Sequence, residues 1–211
     1  AEAVLLAFEG QVRLLPIASA ELAPDVFPLD ARLRWSRAAW ESAPVLPGLR
    51  ELQTSQASLY AALIAGALLQ VFQRTLQYAN ERQQFGKPIG KFQAIQHQLS
   101  VMSEHVFAAR MAAQLAFPDS HTRLVDPLRA AIAKARTSEA ALEVAALSHA
   151  IHGAIGFTAE YDLQLYTRRL NLWRHTAGAE SHWHDRVGAV ALHTSGPALD
   201  LLRQVSDLTP V

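Results

Sequence analysis

Cysteine is absent from all 211 residues, which rules out disulfides, thiolate zinc sites and cysteine nucleophiles. That composition suits a reducing, cytoplasmic setting. An excess of charge of one sign is also missing. Nineteen Lys and Arg balance nineteen Asp and Glu, which argues against nucleic acid or an anionic membrane as the main partner. Electrostatic recognition must then act locally. The longest unbroken apolar run, Leu59 to Leu69 with Tyr60 and Gly66 counted, is shorter than a bilayer span and lacks signal-peptide flanks. The chain therefore reads as soluble, without membrane insertion. Internal repeats and low-complexity tracts are lacking too. What remains is a chain that is half hydrophobic, long enough for one good core or for one core with a small appended piece. Its first residue is Ala and it opens directly on a strand-like run, so it reads as a fragment or a trimmed product.

The chain changes character near Gly48. Before it, apolar runs flank a Glu9-Gly10-Gln11 turn between Ala3 and Pro16, which predicts a hairpin. Prolines at 16, 24, 28, 44 and 47 leave a stretch too broken for long helices, and Leu33 and Trp35 alternate with polar neighbours as in another strand. Residues 1–48 are expected to form a small β-rich segment and residues 49–211 a helical bundle. The first long helix should run from Glu51 to Arg82 and, being apolar nearly all round between Leu59 and Phe72, should be central. A second carries Ile95, Leu99, Met102, Val106, Ala109, Ala113 and Phe117 at three-to-four spacing and stops near Pro118. A third opens on Asp126-Pro127, a cap followed by a first-turn proline, and ends at Gly153. Shorter helices carry Leu163 to Trp173 and Trp183 to Val190. Short connections predict an antiparallel arrangement, a mainly α fold.

Between the first two helices lies YANERQQFGKPIGKFQ, residues 78–93. Gly86, Pro88 and Gly90 break the helix, Phe85 offers an aromatic face, and Arg82, Lys87 and Lys91 supply cationic donors, Arg82 as a fork matched to phosphate oxygens. This is chemistry for an anionic ligand. The same basic residues also complement a helix C-terminus, and ordinary core packing is the lesser alternative for Phe85.

The ERxQFGxPIxxFQ pattern of this stretch resembles the start of the C-terminal helical domain of flavin-dependent acyl-CoA dehydrogenases. A second segment, HGAIGFTAEYDLQLYTRR at residues 152–169, resembles the glycine turn and following helix of the same domain. The resemblance covers about Leu49 to His193, with residues 1–48 as the end of the middle β-domain. It implies an FAD-dependent oxidoreductase that desaturates an acyl-CoA thioester and passes electrons to an electron-transfer flavoprotein. It further implies that Arg82 reaches the cofactor phosphates across a subunit interface, that Gln84, Phe85 and Gln93 line the cofactor, and that His152 and Gly153 meet its adenosine side from a neighbouring chain. A homodimer or tetramer follows, or a hetero-oligomer with a related chain.

Departures from the family pattern carry expectations of their own. Ala150 stands where the family usually has glutamine, and Ala154 where it has a second glycine, so FAD binding is expected to be weakened or lost. The usual proton-accepting carboxylate falls on Ala177, and the alternative position on the first helix falls near Gln56. Neither is a base. Glu51 lies more than a turn earlier, and Glu180 lies three residues past the loop position, as a substitute base or as a first-turn glutamate favoured by the helix dipole. A non-catalytic partner subunit and a helical interaction module without flavin are the two other readings. Two histidine pairings, His149 with His152 and Glu180 with His184, could each hold two metal ligands, but no third ligand is indicated and no metal is expected. Ser181 beside His182 and His184 lacks the strand-to-helix elbow of a hydrolase nucleophile.

Overall fold

The computed structural model describes residues 2–25, 27, 30–47, 52–117 and 125–206. Two compact units emerge, Ala1–Leu52 and Gln53–Val211.

In the first unit, β1 (Ala3–Phe8) and β2 (Gln11–Pro16) pair antiparallel from Ala3↔Pro16 to Phe8↔Gln11. Their two-residue turn places Glu9 at φ 50° and Gly10 at φ 73°, the left-handed pair a tight right-twisted hairpin requires. A second hairpin joins β3 (Glu21–Pro24) to β4 (Ala31–Arg34). The sequence pattern missed β3, whose edge position tolerates Pro24. Trp35 lies just past β4, where its indole N–H donates to the Pro16 carbonyl at 3.0 Å. A six-residue helix, α1 (Arg37–Ser42), fits between the prolines, capped by the Ser36 hydroxyl on the Ala39 amide. Leu15, Trp40 and Ala43 form its small core, and Arg13 ties the segment down by donating to the carbonyls of Trp40, Glu41 and Ala43.

The second unit holds α2 (Leu52–Glu81), α3 (Gln93–Leu115), α4 (Pro127–His152), α5 (Leu163–His175), α6 (Glu180–His193) and α7 (Ala198–Ser206). The chain is thus mainly helical, a bundle preceded by short strands. Each of the first five helices falls within two or three residues of its sequence expectation, whereas α7 went unread. Asp126 caps α4, accepting from the Arg129 amide at 2.9 Å.

The hub is α4 rather than α2. Ala130, Ala131, Ala133, Ala135, Ala140 and Ala141 are all buried along it, and their small side chains let α3, α5 and α6 approach from several directions. Helix α2 contributes one buried stripe, Ile64, Leu68, Val71 and Ala79, to the core shared with Met102, Val106, Val144, Leu163 and Leu170. Its other face carries Leu59, 60% exposed, and Leu63. By length and hydropathy alone, α2 and the stretch Pro127–Phe157 could each cross a bilayer, because alanine raises their mean hydropathy without any long unbroken run. Both bury a stripe in the bundle core.

Candidate functional site

The residues singled out from sequence fall into two groups at opposite ends of α2. At its C-terminal end the chain makes a miniature hairpin, β5 (Gln83–Gln84) paired with β6 (Lys87–Pro88), where sequence indicated only a loop. Phe85 at φ 52° and Gly86 at φ 78° form its two-residue turn. A phenylalanine in the left-handed region is uncommon and costs on the order of 1–2 kcal/mol. The Ile89 amide donates to the Arg82 carbonyl at 2.8 Å and closes the corner. Gly90 passes so near α2 that a Cβ there would stand 3.1 Å from the Ala79 carbonyl oxygen.

That backbone carries an unusual surface. Phe85 is 92% exposed, so it is not core, and among the described residues its ring meets Phe92 edge-on at 6.2 Å. Lys87 lies over Phe92 at 4.4 Å. The Arg82 guanidinium makes no hydrogen bond or ion pair among the described residues, and Gln84 and Gln93 are likewise exposed.

The glycine turn meets the same end of the bundle. Tyr78, one turn before Arg82, stacks on His152 at 4.3 Å, and its hydroxyl donates to the His152 carbonyl at 3.4 Å. Tyr78 has no chemical signal of its own in the sequence, and its position one helical turn from Arg82 places both on one face. His152 is buried and its Nδ1 faces the Ser148 carbonyl at 2.8 Å, which leaves a buried Nε2 without a partner among the described residues. Gly153 adopts φ 66°, and a Cβ there would meet nothing within 4 Å, so its backbone is open to approach. Ala150 and Ala154 are exposed beside it. His149 stacks on Phe157 at 4.1 Å and its Nε2 lies 2.9 Å from the Thr167 hydroxyl. Among the described residues, no group of three His, Cys, Asp or Glu side chains converges.

Burial lowers the pKa of His149, and it lowers that of His152, where the Ser148 carbonyl opposes it and nearby His149 adds to it. Folding therefore favours the neutral rings. Since the unfolded chain binds protons below about pH 6.5 and the folded chain does so only at lower pH, stability is full above about 6.5 and falls as pH drops through the window beneath it. The expected urea midpoint declines between pH 6.5 and 5, above the ordinary carboxylate range, and His152→Gln flattens that decline. An unchanged slope would place the titration elsewhere.

The other group sits at the turn between α5 and α6. Ala177 and Gly178 both take left-handed backbone, at φ 60° and 104°. The Ala177 carbonyl accepts from the Trp183 indole at 3.1 Å and from the Gln53 amide at 3.4 Å, so this turn packs near the N-terminal end of α2, where exposed Gln56 also lies. Glu51 falls outside the described residues. Glu180 occupies the first position of α6 and is ion-paired with Arg174, a largely buried guanidinium from the last turn of α5. Burial pushes the Glu180 pKa up, but hydrogen bonding and charge from Arg174, with its own backbone amide, outweigh this and hold it below the usual range. A carboxylate so held is a weaker proton acceptor. His184 and Ser181 are exposed, and His182 packs edge-on to Trp183. Neither Lys134, whose ammonium enters this turn from α4, nor Arg174 was anticipated from sequence.

Four matches with known proteins bear on this chain. The model of the acyl-CoA dehydrogenase C-terminal domain matches residues 53–191. Acyl-CoA dehydrogenase IpdE2 of Mycobacterium tuberculosis is 34% identical over 172 residues, covering 80% of this chain and 51% of that protein. The chain thus spans about half the length of that relative. Among solved structures, the ChsE4-ChsE5 complex from Mycobacterium tuberculosis matches with a TM-score of 0.76 at 22% identity, over 93% of this chain and 57% of that one. A Tcur3481-Tcur3483 steroid ACAD variant matches with a TM-score of 0.67 at 26% identity, over 86% and 52%.

Proposed function

Because the chain belongs to the acyl-CoA dehydrogenase family through its C-terminal helical domain, we propose that it forms part of a flavoprotein that desaturates an acyl-CoA thioester between its α and β carbons. The family generally binds FAD, and the residues present fit that cofactor. The observation that carries the reading is the corner at Arg82–Phe85, where an aromatic ring, 92% exposed on strained backbone, lies three residues from an arginine whose guanidinium has no partner among the described residues. Arg82 holds phosphate oxygens as a forked donor, Phe85, Gln84 and Gln93 line the cofactor, and Gly153 permits close backbone approach with His152 Nε2 beside it. Bound FAD supplies the acceptor for the β-hydride.

Separation decides how the site is assembled. From Gln53, beside the Ala177 turn, to Arg82 the chain runs about 45 Å along α2. That is farther than a single dinucleotide reaches, so the corner of one chain and the turn at Ala177 serve different cofactors. This separation supports a dimer or tetramer in which the cofactor is shared between chains. Electrons then leave to an electron-transfer flavoprotein, in the cytoplasm.

This chain's own turn offers no carboxylate at Ala177, and Arg174 occupies Glu180. None of the candidate positions among the described residues offers a free base, so on this reading the proton acceptor comes from protein outside these residues or from a related partner subunit, for which this chain provides cofactor contacts. An interaction module without flavin is the reading that a colourless protein would favour.

The test is the absorbance spectrum of the full-length protein, followed by anaerobic titration with a panel of acyl-CoA thioesters. A flavin band that bleaches supports dehydrogenation; a preparation that stays colourless with added FAD overturns it. In the same assay Glu180→Gln should change the rate of bleaching by less than about threefold, whereas removal of a true general base costs about 10²–10⁴-fold. A loss in that larger range would restore Glu180 as the base.

A further inference from the structure

The most demanding buried group in the bundle is Lys134, which is wholly inaccessible to solvent in the middle of α4. Its ammonium has three protons, and each has an acceptor: the Ser138 hydroxyl at 2.9 Å, the Arg174 carbonyl at 2.8 Å and the Gly178 carbonyl at 2.9 Å. Two of these acceptors bracket the turn between α5 and α6. The third lies one helical turn along α4 itself. On its other side the same turn is held by the Trp183 indole on the Ala177 carbonyl, and a Cβ on Gly178 would come within 2.8 Å of that indole nitrogen.

We propose that Lys134 is a positioning residue that fixes the left-handed backbone of Ala177 and Gly178, and with it the course of the turn between α5 and α6. The inference rests on the reading above, in which this turn holds the family's usual proton-acceptor position and so lies beside the thioester. Left-handed backbone at a non-glycine residue persists only where its surroundings over-determine it, and here the clamp closes on both sides.

Burial is the main cause that lowers the Lys134 pKa to about 8; nearby Glu180 opposes the fall and nearby Arg174 adds to it. An amine whose charged form is so disfavoured contributes little to stability as a charge. Its contribution is geometric. In the neutral form two N–H groups still serve the two carbonyls while the Ser138 hydroxyl keeps its own bond to the Arg174 carbonyl, so both lysine–carbonyl bonds persist in either protonation state.

The experiment compares Lys134→Met, Lys134→Gln and Ser138→Ala with the parent in the full-length protein, by hydrogen exchange of the peptide spanning residues 174–183. Lys134→Met keeps the side-chain length without a donor, and Lys134→Gln keeps donors but falls one bond short. Expected is a rise in exchange of about tenfold confined to this peptide in Lys134→Met, and smaller rises in Lys134→Gln and in Ser138→Ala, which keeps both lysine bonds and loses only the Ser138 hydroxyl's own 3.3 Å bond to the Arg174 carbonyl. Unchanged exchange in Lys134→Met overturns the proposal. So does a loss of protection spread over α3 and α4, or failure of both Lys134 variants to fold, since either makes the lysine a core stabiliser only. A second arm measures thioester-driven flavin reduction, in which Lys134→Met should lower the limiting rate and leave KM unchanged. Should no thioester reduce the parent, the functional reading fails while the exchange result stands on its own.

Discussion

Trp183→Ala is expected to lower stability by about 3–5 kcal/mol, the range for truncating a fully buried aromatic. The indole is 1% exposed and packs on Ala57 of α2 and on Ala131 and Ala135 of α4. Those neighbours are already as small as core residues come and sit on rigid helices, so the site has little means of collapsing into the space left behind. The loss has a second part, because Ala177 would keep only the longer hydrogen bond from Gln53. Trp183→Phe separates the two: it retains most of the ring and should cost about 1–2 kcal/mol, mainly for the missing donor. Urea midpoints of the full-length protein, read with hydrogen exchange in α6, check both values. A cost below about 1 kcal/mol for the alanine variant would mean that α6 is not docked through this residue.

The helices were legible in the sequence because their signals are local. Asp126-Pro127 marks a helix start wherever the chain goes next, and the three-to-four spacing from Ile95 to Ala113 survives any tertiary arrangement. Centrality was not local in this sense. Leu59 to Phe72 looks more apolar than α4, yet alanine, with little hydrophobicity to offer, makes the better hub because several helices can approach it at once. The cofactor corner was partly legible. Its cations and broken helix were visible, while the β5–β6 hairpin was too short to leave a strand pattern and the exposure of Phe85 depends on that backbone. Lys134 had a visible signature that went unread: with Ala130, Thr137 and Ala141 it occupies one stripe of α4, where a lysine stands among buried small residues. Its partners, the carbonyls of Arg174 and Gly178, lie about forty residues on and are backbone atoms, which no residue pattern can announce.

The corner itself yields the other large effect. Arg82→Ala is expected to weaken FAD retention by the full-length protein by about tenfold to a hundredfold, the range for one charge-assisted hydrogen-bonding side chain. Arg82→Lys should fall between the two, because an ammonium keeps the charge and loses the fork. Neither substitution should disturb folding: the side chain is exposed, no described residue binds its guanidinium, and the corner is closed by the Arg82 backbone, whose carbonyl accepts from Ile89 and whose amide donates to Tyr78. Unfolding midpoints should therefore match the parent within about 0.5 kcal/mol, so a fall in bound flavin cannot be charged to instability. Flavin released on ultrafiltration, against salt, measures the affinity, and the parent should show the steeper salt dependence because it alone pairs a guanidinium with phosphate. Equal flavin retention in parent and Arg82→Ala would sink the assignment of this corner to the cofactor. It would leave Phe85 exposed on strained backbone for some other anionic, planar ligand, to be sought next with nucleotides lacking the isoalloxazine ring.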